Sequence, residues 1–253
     1  MDIVDEQTKR TKIRNYFKPF PNWAVGMIVI GIIIFLVGTQ TGVGAIGFGL
    51  VLAGIGGFGI YSFGQEKATD SEMDHFLNED LAGLEAHGLN KVGMEDLELV
   101  GKTVQVTGFP RTLGGAEFYY KRGKDNILRF TPTQATLIFF TENQLLCFSC
   151  AYDSTTGKPL NQSTEEYFYR DVVAVSTKTT SVSLSLGKSV GTVQANAAEE
   201  FTLTTSGGTS ISVILKDTSL VQRLGGGEVP TTRAEEAIQN VRRMLRDKKA
   251  TYA

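Results

Sequence analysis

Four groups of residues in this 253-residue chain have types and spacings capable of chemistry. Cys147 and Cys150 form a C-x-x-C pair. At a helix N-terminus such a pair supports redox chemistry, because the helix lowers the thiol pKa. Here the flanking residues read as a strand, where side chains three apart point to opposite faces. The two sulfurs then diverge, and no second pair completes a zinc site. Gly187-Lys188-Ser189 has the ending of a phosphate-binding loop. Val182 stands where that loop requires a glycine, and strands rather than a strand and a helix flank it. A hairpin turn is the better reading. His75 and His87 are the only histidines, and neither has a partner at metal-ligand spacing. Both fall on one linker helix, which leaves the rest of the chain without histidine-based catalysis.

The fourth group is cationic. Lys121, Arg122 and Lys124 cluster on a hairpin, and Arg129 follows. Beneath a membrane these side chains would touch anionic headgroups, at about 1 kcal/mol each. Otherwise they are solvated loop cations. Arg242, Arg243, Arg246, Lys248 and Lys249 offer the same contact, or pair with the negative end of their own helix. No Ser/His/Asp set, carboxylate pair or nucleotide fingerprint appears. The chain reads as non-enzymatic, with no metal and no cofactor. A net charge of −2 argues against a nucleic-acid binder, which shows a strongly basic domain.

The elements that must position these groups are organised around residues 23–63. Trp23–Thr39 and Val43–Phe63 contain no Asp, Glu, Lys or Arg, and only Gln40-Thr41-Gly42 interrupts them. A helix of about 20 apolar residues crosses a bilayer core of about 30 Å. The stretch therefore predicts a transmembrane helical hairpin. Before it, residues 1–22 form a basic and aromatic juxtamembrane arm, mobile up to Thr11. Phe17, Lys18, Phe20 and Trp23 supply an interfacial anchor, since aromatic rings and lysine stems favour the headgroup layer. Lys9, Arg10, Lys12, Arg14 and Lys18 precede the first span, and the turn between the spans carries no cation. Positive charge stays on the cytoplasmic side. The expectation is a multi-pass protein of the inner (cytoplasmic) membrane, with both termini in the cytosol.

The second span places Ala45, Gly49, Ala53 and Gly57 at every fourth position. Small side chains on one face let another helix backbone approach closely. The partner is either the first span of the same hairpin or a second copy, which would give a homo-oligomer. Residues 64–94 read as a helical linker: Asp70 or Ser71 caps a helix running to Gly88, with Phe76, Leu77, Leu81 and Leu84 on one apolar stripe. Met94–Val100 reads as a short second helix or turn.

Residues 95–253 change to strand. Ala116–Tyr120, Ile127–Thr131, Thr136–Phe140, Gln144–Tyr152, Glu165–Thr177, Ser181–Leu186, Glu199–Thr204 and Thr209–Leu215 are rich in β-branched or aromatic residues, with turn-formers between them. That spacing predicts an antiparallel sandwich or barrel. After Gly225-Gly226-Gly227, a last helix is capped by Thr231 or Thr232 and buries Ala234, Ile238, Val241 and Leu245. The fold class is thus α+β: a two-helix membrane hairpin, a helical linker and an antiparallel β-domain with a C-terminal helix.

Strands closed by one amphipathic helix resemble the pleckstrin-homology-like fold in its bacterial form. Gln134–Phe148 is similar to that family's strand, turn and next strand, and Glu166–Ser176 to its tyrosine, acidic residue and aliphatic strand. The segment 178–198 and an insert at Asp153–Thr164 depart from a plain member. The resemblance implies a helix that plugs one end of a bent barrel, and headgroup contact by Lys121, Arg122, Lys124 and Arg129. Three functions follow as expectations. The first is a scaffold or adaptor that presents the domain to a protein partner. The second is an oligomeric pore or membrane-disrupting effector that assembles through the second span. The third is a sensor of anionic lipid headgroups.

Overall fold

A computed structural model describes residues 3–41, 43–65, 67–93, 99–228 and 234–251. The chain divides into two compact units, Met1–Met73 and Asp74–Ala253. The boundary falls inside a helix.

The first unit is helical. α1 spans Ile3–Phe17, so the arm expected to be mobile is a helix. Its sequence explains this. Asp5 and Glu6 sit in the first turn and Arg14 in the last, matching the helix dipole. Glu6 and Arg10 form an i,i+4 ion pair. α2 covers Asn22–Thr41 and α3 covers Val43–Gln65. By length and composition, Asn22–Thr39 and Ile46–Gly64 are apolar enough to cross a membrane. α4 spans Asp70–Lys91. Its cap is Thr69, not Asp70 or Ser71: the Thr69 hydroxyl accepts from the Glu72 amide, and Glu72 accepts from the Thr69 amide at 2.8 Å. This reciprocal box satisfies two helix-end donors at once. The Thr69 amide, followed by Lys12, holds the Glu72 carboxyl below its usual range. Tyr16 Oη donates to Asp70 at 2.7 Å, joining α1 to the same turn.

Among the described residues the second unit has nine strands. β1 (Val104–Gly108), β4 (Thr133–Phe140), β5 (Gln144–Asp153) and β6 (Lys158–Phe168) form one antiparallel sheet, in the order β1-β4-β5-β6. β7 (Val172–Ser185), β8 (Thr192–Thr205) and β9 (Ser210–Asp217) form a second. The Phe109 amide bonds the Ile214 carbonyl at 3.1 Å and links β1 to β9, so the two sheets continue into each other. Gly108 permits this approach: a Cβ there would overlap the Ile214 carbonyl. A separate hairpin, β2 (Tyr119–Arg122) and β3 (Leu128–Thr131), is inserted between β1 and β4. Short helices α5 (Gly187–Val190) and α6 (Thr218–Arg223) follow β7 and β9, and α7 covers Ala234–Thr251.

β4 and β5 are buried on both faces. Ile138, Phe140, Leu145 and Cys147 enter a core with Phe201, Leu203, Val213 and the α7 residues Ile238, Val241 and Leu245. Their neighbours Leu137, Phe139, Leu146, Phe148 and Cys150 pack with Leu81 and Leu84 of α4. A third cluster joins the β2–β3 hairpin through Phe118, Leu128 and Phe130 to Leu184, Leu186 and α6. The side chain of Ala234, the cap at Thr231 or Thr232, and the expected element at 94–98 lie outside the described residues.

Two strand expectations change. Glu165–Thr177 is not one strand, because a 3-10 turn at Tyr169–Asp171 breaks it. There the chain leaves the first sheet for the second. The buried Tyr169 hydroxyl donates to the Thr141 carbonyl at 2.8 Å and fixes the corner. The expected insert 153–164 largely forms strand β6, paired with β5 from Lys158 onward.

Candidate functional site

The anticipated chemistry resolves first. Cys147 and Cys150 are both free and buried, and they point into different cores. Burial pushes the Cys150 thiol up to about 12. Burial, with Glu165 adding to it, raises Cys147 well above its ordinary range. Neither is a poised nucleophile. Gly187-Lys188-Ser189 opens the four-residue α5 between two strands, too short to bind phosphate at its N-terminus. His87 bonds Gln162 at 2.8 Å and lies edge-on to Phe148. Among the described residues no three His, Cys, Asp or Glu side chains gather to hold a metal.

The basic cluster separates. Arg122 and Lys124 are exposed on the β2–β3 hairpin, and Lys121 is half-buried. Arg129 does not join them: it is 3% exposed. Its guanidinium meets both oxygens of Asp74, at 2.7 and 2.6 Å, and both of Asp125, at 3.0 and 2.6 Å. Two bidentate carboxylates take four of its five N–H donors and the Ile127 carbonyl, at 3.4 Å, the fifth, which leaves nothing for a headgroup. Burial of the whole strand gives the reason. Lys121 and Arg129 are register partners, but β3 is buried at all four positions, while β2 is exposed or half-buried throughout.

In the hairpin, a Cβ on Gly49 would come within 2.6 Å of the Gly31 carbonyl and 2.7 Å of the Phe35 amide nitrogen. A Cβ on Gly31 would meet the Ala53 backbone at 2.7 Å. The close face continues through Gly56 against Ala24 and Ile28, not through Gly57, which has no atom within 4 Å of a built Cβ. Seven residues bring a helix to within about 20° of its starting direction, whereas eight overshoot by about 80°. Ala45 lies in α3 with its side chain outside the described residues. At the open end of the hairpin, Trp23 packs on Gly59 and Phe20 lies edge-on to Phe63 at 5.7 Å. Lys67 Nζ sits 4.0 Å over the Phe63 ring and donates to the Lys18 carbonyl. Phe20 and Trp23 remain exposed, while Phe17 is half-buried against Tyr16.

Sequence reasoning missed a concave feature of the β-domain. A groove of about 590 Å³ runs between β7 and α7. Its floor is apolar: Val172, Val173, Ala174 and Val175 on one side and Leu245 on the other. Gln239, Arg242 and Arg246 form the polar wall. β7 is the outer strand of its sheet, paired only with β8 among the described strands. Val173 is 58% exposed there. An exposed strand edge offers a row of backbone donors and acceptors to another chain. The sequence signal was faint, because it required placing Val172–Val175 at an edge.

No family model matches this chain, nor does any curated protein or solved structure.

Proposed function

We propose that this protein is a non-enzymatic, membrane-anchored scaffold or adaptor whose cytoplasmic β-domain presents a binding surface to a protein partner. One observation carries the reading. Around α2 and α3, Val29, Ile33, Leu36, Phe48, Val51 and Phe58 face outward, while glycine and alanine fill the contact between the helices. That is the pattern for lipid outside and close backbone packing inside. Phe20, Trp23, Tyr61 and the lysines 18 and 67 gather at one end, as an interfacial collar requires. The order of antiparallel strands closed by α7 supports the pleckstrin-homology-like reading of the second unit. The packing of Gly49 and Ala53 on the first span favours this reading over the pore or effector alternative, which would use that face for a second copy.

Alkaline carbonate washing of native membranes tests the anchor, and the chain is expected to stay in the pellet. Protease added outside intact cells should leave a C-terminal tag untouched. Release into the wash, or external cleavage of the tag, refutes the anchor or the orientation respectively.

A further inference from the structure

We infer that the groove between β7 and α7 binds a fatty acid, its carboxylate on Arg242 and Arg246 and its chain along Val173, Ala174 and Val175; this site goes beyond the adaptor reading and does not depend on it. A bulge shapes the apolar side. Val172 pairs with Thr205 and Ala174 with Thr204, so Val173 is the extra residue of the ladder. The bulge breaks the regular row of backbone groups along this edge, which discourages another strand from pairing there. It also leaves the Val173 side chain 58% exposed, and Val173, Ala174 and Val175 all line the groove. Recognition at this face therefore falls to side chains.

The opposite wall supplies charge. Arg242 and Arg246 stand one turn apart on α7 and both line the groove. Arg246 donates its Nε–H to the Arg242 carbonyl at 3.3 Å. Among the described residues neither guanidinium pairs with an acid. The neighbouring cations are engaged elsewhere: Arg170 faces Asp171 at 3.8 Å, Arg243 bonds Asn240 at 3.0 Å, and Lys248 bonds Glu142 at 2.7 Å. Asp247 lies outside the lining. Two guanidinium forks without an acid match a carboxylate. Size and polarity narrow the ligand further. A volume of about 590 Å³ falls within the range of about 300–1,000 Å³ for small-molecule sites, which join an apolar surface to a few polar groups. A polyanionic headgroup would meet only two cations and leave the valines bare. A lysophospholipid brings a glycerol and an ester, for which the only uncharged polar side chain in the lining is Gln239. A fatty acid uses both walls.

The test uses the full-length protein in nanodiscs of zwitterionic lipid, with a dodecanoic acid that carries a photoreactive diazirine on its chain. Peptide mass spectrometry locates the label and so separates groove-bound probe from probe dissolved in the bilayer. Label is expected on residues 172–175 and 239–246, suppressed by excess dodecanoate but not by dodecanol or dodecyltrimethylammonium. Arg242→Glu with Arg246→Glu should lower that labelling roughly tenfold or more. Val173→Asp, at an exposed side chain, should lower it as well. An unchanged circular dichroism spectrum verifies the folding of each variant. Label confined to the hairpin overturns the inference, as does equal suppression by the alcohol, or indifference to the double reversal. Dodecyl phosphate that suppresses the label at lower concentration than dodecanoate assigns the groove to a phosphate-headed lipid and also overturns it. A chain that does not enter nanodiscs is labelled in buffer by the same protocol, so failure of the proposed anchor leaves this test standing.

Discussion

The helical hairpin and the β-domain solve opposite packing problems. In the β-domain the large rings of Phe139, Phe148 and Phe201 are fully buried. In the hairpin the large side chains lie outside, with Phe58 at 71% exposure, and the interior is glycine and alanine. Water drives the first arrangement, because burying apolar area is the main source of stability there. It could not drive the second in the lipid proposed for the hairpin, where tails are as apolar as leucine and close backbone contact takes over. Side-chain size therefore has inverted meaning in the two regions: large residues hold one together, and small residues hold the other.

Exchanging the rules should break each region differently. Phe148→Ala removes a ring buried against Gly88 and His87. It is expected to cost about 3–5 kcal/mol in urea unfolding of the β-domain. Phe58→Ala, an equal deletion outside the hairpin, should leave hairpin geometry unchanged. Gly31→Leu should force α2 from α3, at about 1–3 kcal/mol, because its Cβ meets backbone atoms that cannot yield. Thermal unfolding in detergent followed by circular dichroism reads this out; Gly26→Leu, with open space around it, should leave the midpoint unchanged. If both glycine variants behave alike, the contrast fails.

Smaller effects sharpen the picture of the β-domain. Hydrogen bonds from Arg129 and from the Ile127 amide hold the Asp125 carboxyl at about 2, below its ordinary 3.8. A depressed carboxylate contributes stability that is complete above the unfolded value and lost as pH falls through the folded one. The urea midpoint should therefore drop between about pH 4 and pH 2, and Asp125→Asn should flatten that drop. Last, Cys147 and Cys150 should ignore a soluble maleimide until urea unfolds the domain, since both thiols are buried and raised. Reaction of either in the folded protein contradicts the two-sided burial of β5.

Much of this organisation was legible in the sequence where one physical signal dominated. The uncharged run of 23–63 gave two helices, and the apolar, aromatic-rich runs Thr136–Phe140 and Gln144–Tyr152, set between turn-formers, gave β4 and β5. β6 escaped because eight of its eleven residues are exposed, so no apolar alternation marks it. The break at Tyr169–Asp171 escaped because a tyrosine hydroxyl and a distant carbonyl make it, and neither is a local signal. Helix α1 is held by charge placement, which resembles a solvated arm when read as composition. Arg129 read as one more surface cation until Asp74, fifty-five residues away, closed around it. The groove has no motif; it exists because an edge strand and a terminal helix meet.

Trp23 is the only tryptophan in the chain, and it sits at the mouth of the hairpin against Gly59. The β-domain emits through tyrosine alone, so excitation at the red edge of indole absorption reports a single known position. Brominated lipids carrying the quencher at stepped depths would then test the proposed anchor, by whether and at what depth they quench that one residue, in the native chain and without any added label.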